Sequence, residues 1–134
     1  GNYEYDKKGQ LIRLIDKTTH GRDNWTQSFE YDSQGNLAEV KQFRSEKIID
    51  SKKSFNYNDN GNLISSDLYK ENNLVSKNNL FYDEDGDLIK FNSGESNNYT
   101  YKYSYDYKGN WVKKIVFLNN NPSGILTRNI EYFN

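Results

Sequence analysis

The sequence predicts an all-β protein: an antiparallel meander of about 10–11 strands built from five β-hairpin repeats. A pattern of the form aromatic-x-Tyr-Asp-x-x-Gly-Asn-Leu recurs along the chain. The residues before each Asp alternate between apolar and polar types, as in a strand with one covered face. The chain has a single alanine, Ala38, and because alanine is the strongest helix former its scarcity disfavours helices.

Glycines mark the repeats, at positions 9, 35, 61, 86 and 109, which gives spacings of 26, 26, 25 and 23 residues. The repeats start near residues 3, 29, 55, 80 and 103, and the pattern predicts that a partial sixth repeat starts with a strand near residue 130. An Asp or Asn side chain can accept a hydrogen bond from the backbone N–H two residues on, and Gly takes the left-handed position that closes the turn. We therefore predict five three-residue hairpin loops with a G1 bulge. The structural turn residues are Asp6, Gly9, Asp32, Gly35, Asn58, Gly61, Asp83, Gly86, Asp106 and Gly109.

This loop also predicts which residues face each other across each hairpin. The predicted pairs are Tyr5–Leu11, Tyr31–Leu37, Tyr57–Leu63, Tyr82–Leu88 and Tyr105–Trp111. The residues two positions earlier (Tyr3, Phe29, Phe55, Leu80 and Tyr103) join the same face, which we interpret as the core side. The opposite face mixes polar side chains such as Glu4 with apolar ones such as Ile12. Because large open sheets twist and curl, we expect a strongly coiled single sheet or a half-barrel.

Variable turns connect one repeat to the next. They are predicted near His20–Asn24, Ser45–Lys47, Glu71–Asn73, Ser93–Asn98 and Asn119–Gly124. The single proline, Pro122, is placed in the last turn, where it costs no ladder hydrogen bond. Residues 37–50 are also compatible with a helix, but the repeat phase favours a strand.

Composition excludes several classes of protein. The 134 residues correspond to about one domain, so residues 1–134 are predicted to form a single unit. Because 18 Lys+Arg balance 19 Asp+Glu, electrostatic binding of nucleic acid is not expected. The absence of Cys excludes disulfides and thiolate catalysis. No apolar run approaches the roughly 18 residues of a membrane-spanning helix.

The recurring motif resembles the YD repeat, also called the Rhs repeat, of bacterial Rhs proteins and animal teneurins. The matching segments are Tyr5-Asp6-Gly9-Leu11, Tyr31-Asp32-Gly35-Asn36-Leu37, Tyr57-Gly61-Asn62-Leu63, Tyr82-Asp83-Gly86-Leu88 and Tyr105-Asp106-Gly109-Asn110. Asn58 replaces Asp, Gln10 and Asp87 replace Asn, and Trp111 replaces Leu. The unit from Tyr105 to Tyr132 also resembles the closing repeat of small exported proteins of the Bacteroides group.

The resemblance implies a structural role for the motif residues and no catalytic residue. In large members of the family the repeats form a spiral β-shell that encloses a toxin or mediates surface contact, and carbohydrate binding has been attributed to them. Five repeats are too few to enclose a cargo, so that role does not carry over. The expected location is secreted, periplasmic or attached to the outer membrane after removal of an export signal, with a cytoplasmic location as the alternative.

Aromatic residues outside the predicted core register are the candidate ligand-binding residues. They are Trp25, Tyr69, Tyr99, Tyr101 and Tyr107. Aromatic rings offer flat apolar area with a polar rim, which suits stacking on sugars or contact with a protein. No cofactor and no catalytic or metal-binding residue is predicted. Weak calcium binding at the Asp- and Asn-rich turns is an alternative, although their glycine does not fall where an EF-hand requires it, and His20 is interpreted as a loop residue.

The predicted function is therefore non-enzymatic recognition of a glycan or a protein partner by a bacterial exported or cell-envelope protein. One alternative is a purely structural repeat or spacer of a larger Rhs-like polypeptide. Another is an immunity or inhibitor protein against a secreted toxin. The terminal strands of an open sheet have unpaired edges, which also allow self-association.

Overall fold

A computed structural model describes residues 1–16, 25–45 and 48–133, and these residues form a sheet of eleven strands in consecutive order. The strands are β1 (Asn2–Tyr5), β2 (Leu11–Asp16), β3 (Trp25–Tyr31), β4 (Leu37–Ser45), β5 (Ile48–Tyr57), β6 (Leu63–Lys70), β7 (Asn73–Tyr82), β8 (Leu88–Ser93), β9 (Asn97–Tyr105), β10 (Trp111–Leu118) and β11 (Asn121–Thr127). The all-β antiparallel meander is confirmed, and residues 37–50 form strands rather than a helix. His20 and the predicted turn at His20–Asn24 lie outside the described residues, as do residues 46 and 47 of the next turn.

The chain divides into two compact units, Gly1–Lys77 and Asn78–Asn134. The first unit contains β1 to β6 and the start of β7. The second contains the remainder of β7 and β8 to β11. The single domain over residues 1–134 and the coiled or half-barrel shape stay predictions.

The five Asp-x-x-Gly turns share one set of hydrogen bonds. In the first turn, Asp6 Oδ1 accepts from the backbone N–H of Lys8 at 2.8 Å and of Gln10 at 2.9 Å, and the Gly9 N–H donates to the Asp6 carbonyl at 3.1 Å. Gly9 has a φ of 81°, in the left-handed region that glycine adopts without steric cost. The same bonds recur at Asp32, Asn58, Asp83 and Asp106. The predicted turn chemistry is confirmed, and the bond to the N–H four residues on is an additional finding.

The predicted cross-strand pairs are confirmed. Tyr5 lies opposite Leu11, and the equivalent pairs form in the other four hairpins. The register shifts beside each pair, which inserts one extra residue into the return strand. After this bulge, Tyr3 lies opposite Leu14 on the same face as Tyr5. Thus the bulge preserves an aromatic face along each hairpin.

Several of the described connecting turns are tighter than the sequence indicated, including the one predicted at Glu71–Asn73, which is confined to residues 71 and 72. Asn119 and Asn120 both have positive φ, 48° and 67°, as a two-residue type I′ turn requires. Strand β11 therefore begins at Asn121, and Pro122 lies within it opposite Phe117, so its placement in a turn was wrong. A proline is tolerated there because β11 ends the strand order and needs no ladder donor on its outer side. The turn predicted at Ser93–Asn98 is likewise confined to residues 94–96.

The predicted sixth repeat does not form a strand. Residues 128–133 follow β11 without regular structure. The phase of the motif had placed a strand at Ile130–Tyr132, but Tyr132 instead contacts the last Asp-x-x-Gly turn through its hydroxyl. Its side chain therefore packs against the last Asp-x-x-Gly turn, through hydrogen bonds with Asp106 and Asn110.

The aromatic face is not a buried core. Among the described residues no apolar side chain is fully buried, and the one buried residue is Ser66, which is 6% exposed. Tyr3 and Tyr5 are each 60% exposed, whereas Phe29 and Phe55 are half-buried. Side chains of a single sheet shield one another only from the side, so the face interpreted as the core side has no fully buried apolar side chain among the described residues.

The opposite face of the first unit carries paired charges. Lys41 Nζ lies 2.7 Å from Glu30 Oε1 and 2.7 Å from Glu39 Oε1, and these bonds raise the pKa of Lys41. Lys52 Nζ lies 3.6 Å from Glu39 Oε2 and 4.8 Å from the centre of the Tyr69 ring. Such pairs at a solvated surface stabilise the fold only modestly.

Candidate functional site

A tyrosine hydroxyl links each described repeat of the first unit to the one before it. Tyr31 donates to the Leu11 carbonyl at 3.0 Å, and Tyr57 donates to the Leu37 carbonyl at 2.8 Å. In both cases the donor follows the acceptor by 20 residues. We call this contact the inter-repeat tyrosine bond. It satisfies a half-buried carbonyl at the position where the ladder is interrupted by the bulge.

In the second unit the equivalent bond is made by Tyr103, which lies two residues before the motif tyrosine of the last repeat. The Leu88 carbonyl accepts from Tyr103 at 2.7 Å, and Tyr103 follows it by 15 residues. The motif tyrosine of the last repeat, Tyr105, instead donates to Asp87 Oδ2 at 2.7 Å. The cause is the short spacing of 23 residues between Gly86 and Gly109. This spacing brings the earlier tyrosine to the carbonyl and leaves Tyr105 at the edge of the turns.

Tyr105 is 42% exposed and forms one wall of a cleft of about 540 Å³. We call it the Tyr105 cleft. It is lined by Asp85, Asp87, Tyr105, Gly109, Asn110, Trp111 and Arg128. These residues offer a phenol ring, two carboxylates, an amide and a guanidinium, which together can stack on a ring and exchange several hydrogen bonds.

The hydrogen bond to the Asp87 carboxylate raises the pKa of Tyr105 to about 12. A phenol whose proton is bound to a carboxylate is held in its neutral form at ordinary pH. The Tyr105 hydroxyl is therefore a fixed donor to Asp87, and its ring offers the cleft a flat apolar surface rather than a base.

Arg128, in the segment that follows β11, also lines the cleft. Arg128 donates its backbone N–H to the Val112 carbonyl at 3.0 Å, and its Nε donates to the Trp111 carbonyl. Its guanidinium carbon lies 3.9 Å from the centre of the Trp111 ring, within cation–π distance. The Tyr103 ring centre lies 6.1 Å from that of Trp111. Trp111 is thus packed between neighbours, and Tyr105 is the ring that the cleft leaves available.

Tyr132 closes the last turn next to this cleft. Its hydroxyl donates to Asp106 Oδ2 and accepts from Asn110 Nδ2 at 2.7 Å. The bond from Tyr132 lowers the pKa of Asp106 and raises the pKa of Tyr132. Lys108 Nζ lies 3.7 Å from the Tyr132 ring centre, and the Tyr107 ring contacts the same ring at 5.9 Å. These contacts hold Asn110, a cleft residue, in place.

The first unit has a cleft of similar size, about 510 Å³, between the second and third Asp-x-x-Gly turns. It is lined by Asp32, Gln34, Asn36, Tyr57, Asn58, Asp59, Asn60 and Gly61. The Tyr57 hydroxyl is already bonded to the Leu37 carbonyl. Asp32 accepts from the Gln34 and Asn36 N–H groups through Oδ1 and from Asn36 Nδ2 through Oδ2. The side chains of Asp32, Asn36 and Tyr57 are thus engaged within the fold, and this cleft has no arginine or tryptophan in its lining.

The five aromatic residues proposed from the sequence are divided between the two units, with Trp25 and Tyr69 in the first and the other three in the second. Tyr107 is 84% exposed in the last turn and Trp25 is 38% exposed at the start of β3. Tyr69, Tyr99 and Tyr101 are half-buried. By strand alternation, Trp25, Tyr99 and Tyr101 lie on the aromatic face, so their assignment outside its register was wrong.

Local packing explains these positions. Tyr99 stacks on Phe91 with ring centres 5.9 Å apart, and Lys114 Nζ lies 4.3 Å from the Tyr101 ring centre. The motif residues Tyr105 and Trp111, which had been interpreted only as a core pair, line the cleft instead. The one signal in the sequence was the short final spacing.

A protein family whose description reads "Uncharacterised protein" matches residues 25–134. The chain belongs to this family. No curated protein matches it. Among solved structures, TcdB2-TccC3 matches with a TM-score of 0.62 and 21% identity, over 90% of this chain and 7% of that chain.

Two further structures have a similar fold. TcdB2-TccC3-Cdc42 matches with a TM-score of 0.60 and 21% identity over 93% of this chain and 7% of that one. A porin-like protein from Bacteroides uniformis matches with a TM-score of 0.61 and 10% identity over 93% of this chain and 66% of that one. The present chain therefore corresponds to 7% of the length of each of the two TcdB2-TccC3 chains. At these identities the likeness shows a shared fold, and that fold fits a YD-like repeat.

No group of three or more His, Cys, Asp or Glu residues that could hold a metal ion occurs within residues 1–16, 25–45 and 48–133. In the Asp-rich fourth turn, Asp83 Oδ1 already accepts from the N–H groups of Asp85 and Asp87 at 3.1 and 2.8 Å. Weak calcium binding at these turns stays a prediction. The same ranges contain no helix long and apolar enough to cross a membrane.

Proposed function

We propose that this chain is a non-enzymatic recognition module of a bacterial exported or cell-envelope protein and that it binds a glycan in the Tyr105 cleft. The observation that carries the proposal is the cleft itself, in which an exposed ring adjoins carboxylate, amide and guanidinium groups. Sugars present hydroxyls that both donate and accept, together with an apolar ring face that stacks on aromatic side chains.

The chemistry of the cleft favours binding over catalysis. Tyr105 keeps its proton because its hydroxyl is bonded to the Asp87 carboxylate. Arg128 is fixed by its bond to the Trp111 carbonyl. Groups that are held in place before a ligand arrives lose little conformational freedom on binding. A preorganised set of donors and acceptors of this kind suits recognition of a polyhydroxylated ligand.

The experiment is a screen of the purified protein against a broad panel of glycans and polysaccharides. For any hit, Tyr105→Ala should weaken binding roughly tenfold, because it removes the stacking surface and a hydroxyl oxygen that can accept a hydrogen bond. Asp87→Asn should weaken it as well, since it removes a charged acceptor and the partner of Tyr105. Trp25→Ala is the matched control, because Trp25 is an exposed aromatic that does not line this cleft. A hit weakened by Trp25→Ala but not by Tyr105→Ala would sink the assignment of the site.

A structural repeat or spacer of a larger polypeptide is the second candidate. The observation that favours it is the inter-repeat tyrosine bond, in which a tyrosine side chain of one hairpin donates to a backbone carbonyl of the preceding hairpin. The fold likeness to a small part of TcdB2-TccC3 supports it too. A blank glycan screen would remove the glycan proposal and favour this candidate or a protein partner, including a toxin that the chain inhibits.

A further inference from the structure

We propose that one face of the second unit, the face opposite the tyrosines of β9, docks on an anionic lipid surface. We call it the lysine face, and it is formed by alternate residues along β7 to β10. The residues that carry the argument are Phe81, Lys90, Lys102, Lys113, Ile115 and Phe117. None of these six lines the Tyr105 cleft, so this interaction is independent of the glycan proposal.

The strand register places three lysines in a diagonal row on this face. Lys90 on β8 lies opposite Thr100, which precedes Lys102 on β9 by two residues. Lys113 on β10 lies opposite Ser104, which follows Lys102 by two residues. Because side chains alternate along a strand, the three lysines share one side of the sheet. Diagonal neighbours of this kind are about 7–8 Å apart, so the row crosses three adjacent strands with one positive charge on each.

The charges of this row are not compensated within the unit. Strands β8 to β11 contain no Asp or Glu, and the carboxylates of the second unit lie outside its strands, as at Asp85. Among the residues that the structure describes, the three lysines form no ion pair. In the first unit, by contrast, Lys41 Nζ contacts both Glu30 and Glu39. The lysine face is therefore positively charged and complementary to an anionic partner.

Two of the lysines lie over phenyl rings of the same face. Lys90 Nζ lies 5.3 Å from the Phe81 ring centre. Lys102 Nζ lies 5.4 Å from the Phe117 ring centre. Such cation–π contacts hold the ammonium group at the surface, while the methylene stem covers apolar area. Phe81 is still 45% exposed, and Ile115 and Phe117 are half-buried, so the face combines positive charges with apolar side chains in contact with water.

This combination points to a lipid surface as the occupant. A soluble polyanion would pair with the ammonium groups but would leave the apolar side chains in water. The headgroup layer of an anionic bilayer offers phosphates to the lysines and an apolar boundary to Phe81 and Ile115. A peptide strand is disfavoured, because β8, β9 and β10 each pair with a strand on both sides and offer no free backbone groups on this face.

The first test is cosedimentation of the full chain with vesicles of phosphatidylcholine and phosphatidylglycerol at about 2:1. Lys102→Gln should weaken binding about fivefold, which is the value of one lysine near an anionic surface. Lys114→Gln is the matched control and should not, because Lys114 lies over the Tyr101 ring on the opposite face. Added salt should weaken binding. No binding at about 5 mM lipid, equal binding to phosphatidylcholine alone, or equal losses in the two variants would overturn the proposal.

The second test separates a lipid surface from a soluble polyanion. Phe81→Ala should weaken vesicle binding roughly threefold, because the partly exposed ring no longer transfers from water to the apolar boundary. Leu74→Ala is the matched control, since Leu74 is 53% exposed but belongs to the first unit. The full chain is also titrated with dextran sulfate. Binding to dextran sulfate without binding to vesicles, or vesicle binding that Phe81→Ala leaves unchanged, overturns the assignment of a lipid surface.

Discussion

The glycine of each Asp-x-x-Gly turn is predicted to be required for its backbone conformation alone, and Gly61→Ala tests this. Gly61 has a φ of 80°, and a Cβ built on it meets no heavy atom within 4 Å. The substitution therefore causes no clash, and its cost is the left-handed conformation of an alanine, about 1–2 kcal/mol. Alanine also reduces the freedom of the unfolded chain, which offsets about 0.4–1 kcal/mol. The free energy of unfolding should fall by about 1 kcal/mol.

Urea unfolding of paired variants measures this effect. Gly124 lies in β11, its φ is outside the left-handed region, and a Cβ there also meets nothing within 4 Å. Gly124→Ala should therefore stabilise the protein by about 0.4–1 kcal/mol, the opposite sign. Gly61→Asn should be less harmful than Gly61→Ala, because Asn tolerates the left-handed region. Equal midpoints for Gly61→Ala and Gly124→Ala would refute the reasoning.

Three further predictions concern hydrogen bonds of the tyrosines and turns. Tyr57→Phe removes only the hydroxyl that donates to the Leu37 carbonyl at 2.8 Å. Urea unfolding should show that the free energy of unfolding falls by about 1 kcal/mol. An unchanged free energy would show that the bond adds no stability. The hydrogen bond from the Asn36 backbone N–H lowers the pKa of Asp32 below its ordinary 3.8. The ionised carboxylate therefore contributes stability that is present above that pH and is lost as the pH falls through the folded pKa. The thermal midpoint should therefore fall below about pH 4, and Asp32→Asn should reduce this dependence; identical pH profiles would contradict it. Tyr105 should ionise at a pKa of about 12 in a titration of tyrosinate absorbance, and Asp87→Ala should lower that pKa; a pKa that does not move would reject Asp87 as the cause.

Local patterns were sufficient for the hairpins and their register. An Asp side chain and a left-handed glycine specify a turn through contacts within five residues, as in Asp6 to Gln10. Because side chains alternate along a strand, the turn then determines which residues share a face. The errors arose where contacts outside the motif intervene. Pro122 was misplaced because the residues before it form a tighter turn, and Tyr132 was misplaced because its hydroxyl bonds to Asp106.

The candidate site was less accessible to sequence reasoning. Tyr105 and Tyr57 occupy the same motif position, but one lines an open cleft and the other bonds to a backbone carbonyl. The difference depends on which tyrosine reaches the Leu88 carbonyl, and that is a distance between strands rather than a property of the motif. The role of Arg128 likewise depends on the path of the chain after β11.

By itself, the sequence determined the all-β class, the five turns and the pairing within each hairpin, because these depend on neighbours a few residues apart. Tertiary structure decided which tyrosines join repeats, which one remains exposed, and how the last repeat is closed. These outcomes depend on contacts between residues 15 to 26 positions apart, such as Tyr103 with Leu88 and Tyr132 with Asp106. A change of three residues in repeat length leaves the motif intact but changes which hydroxyl reaches which carbonyl.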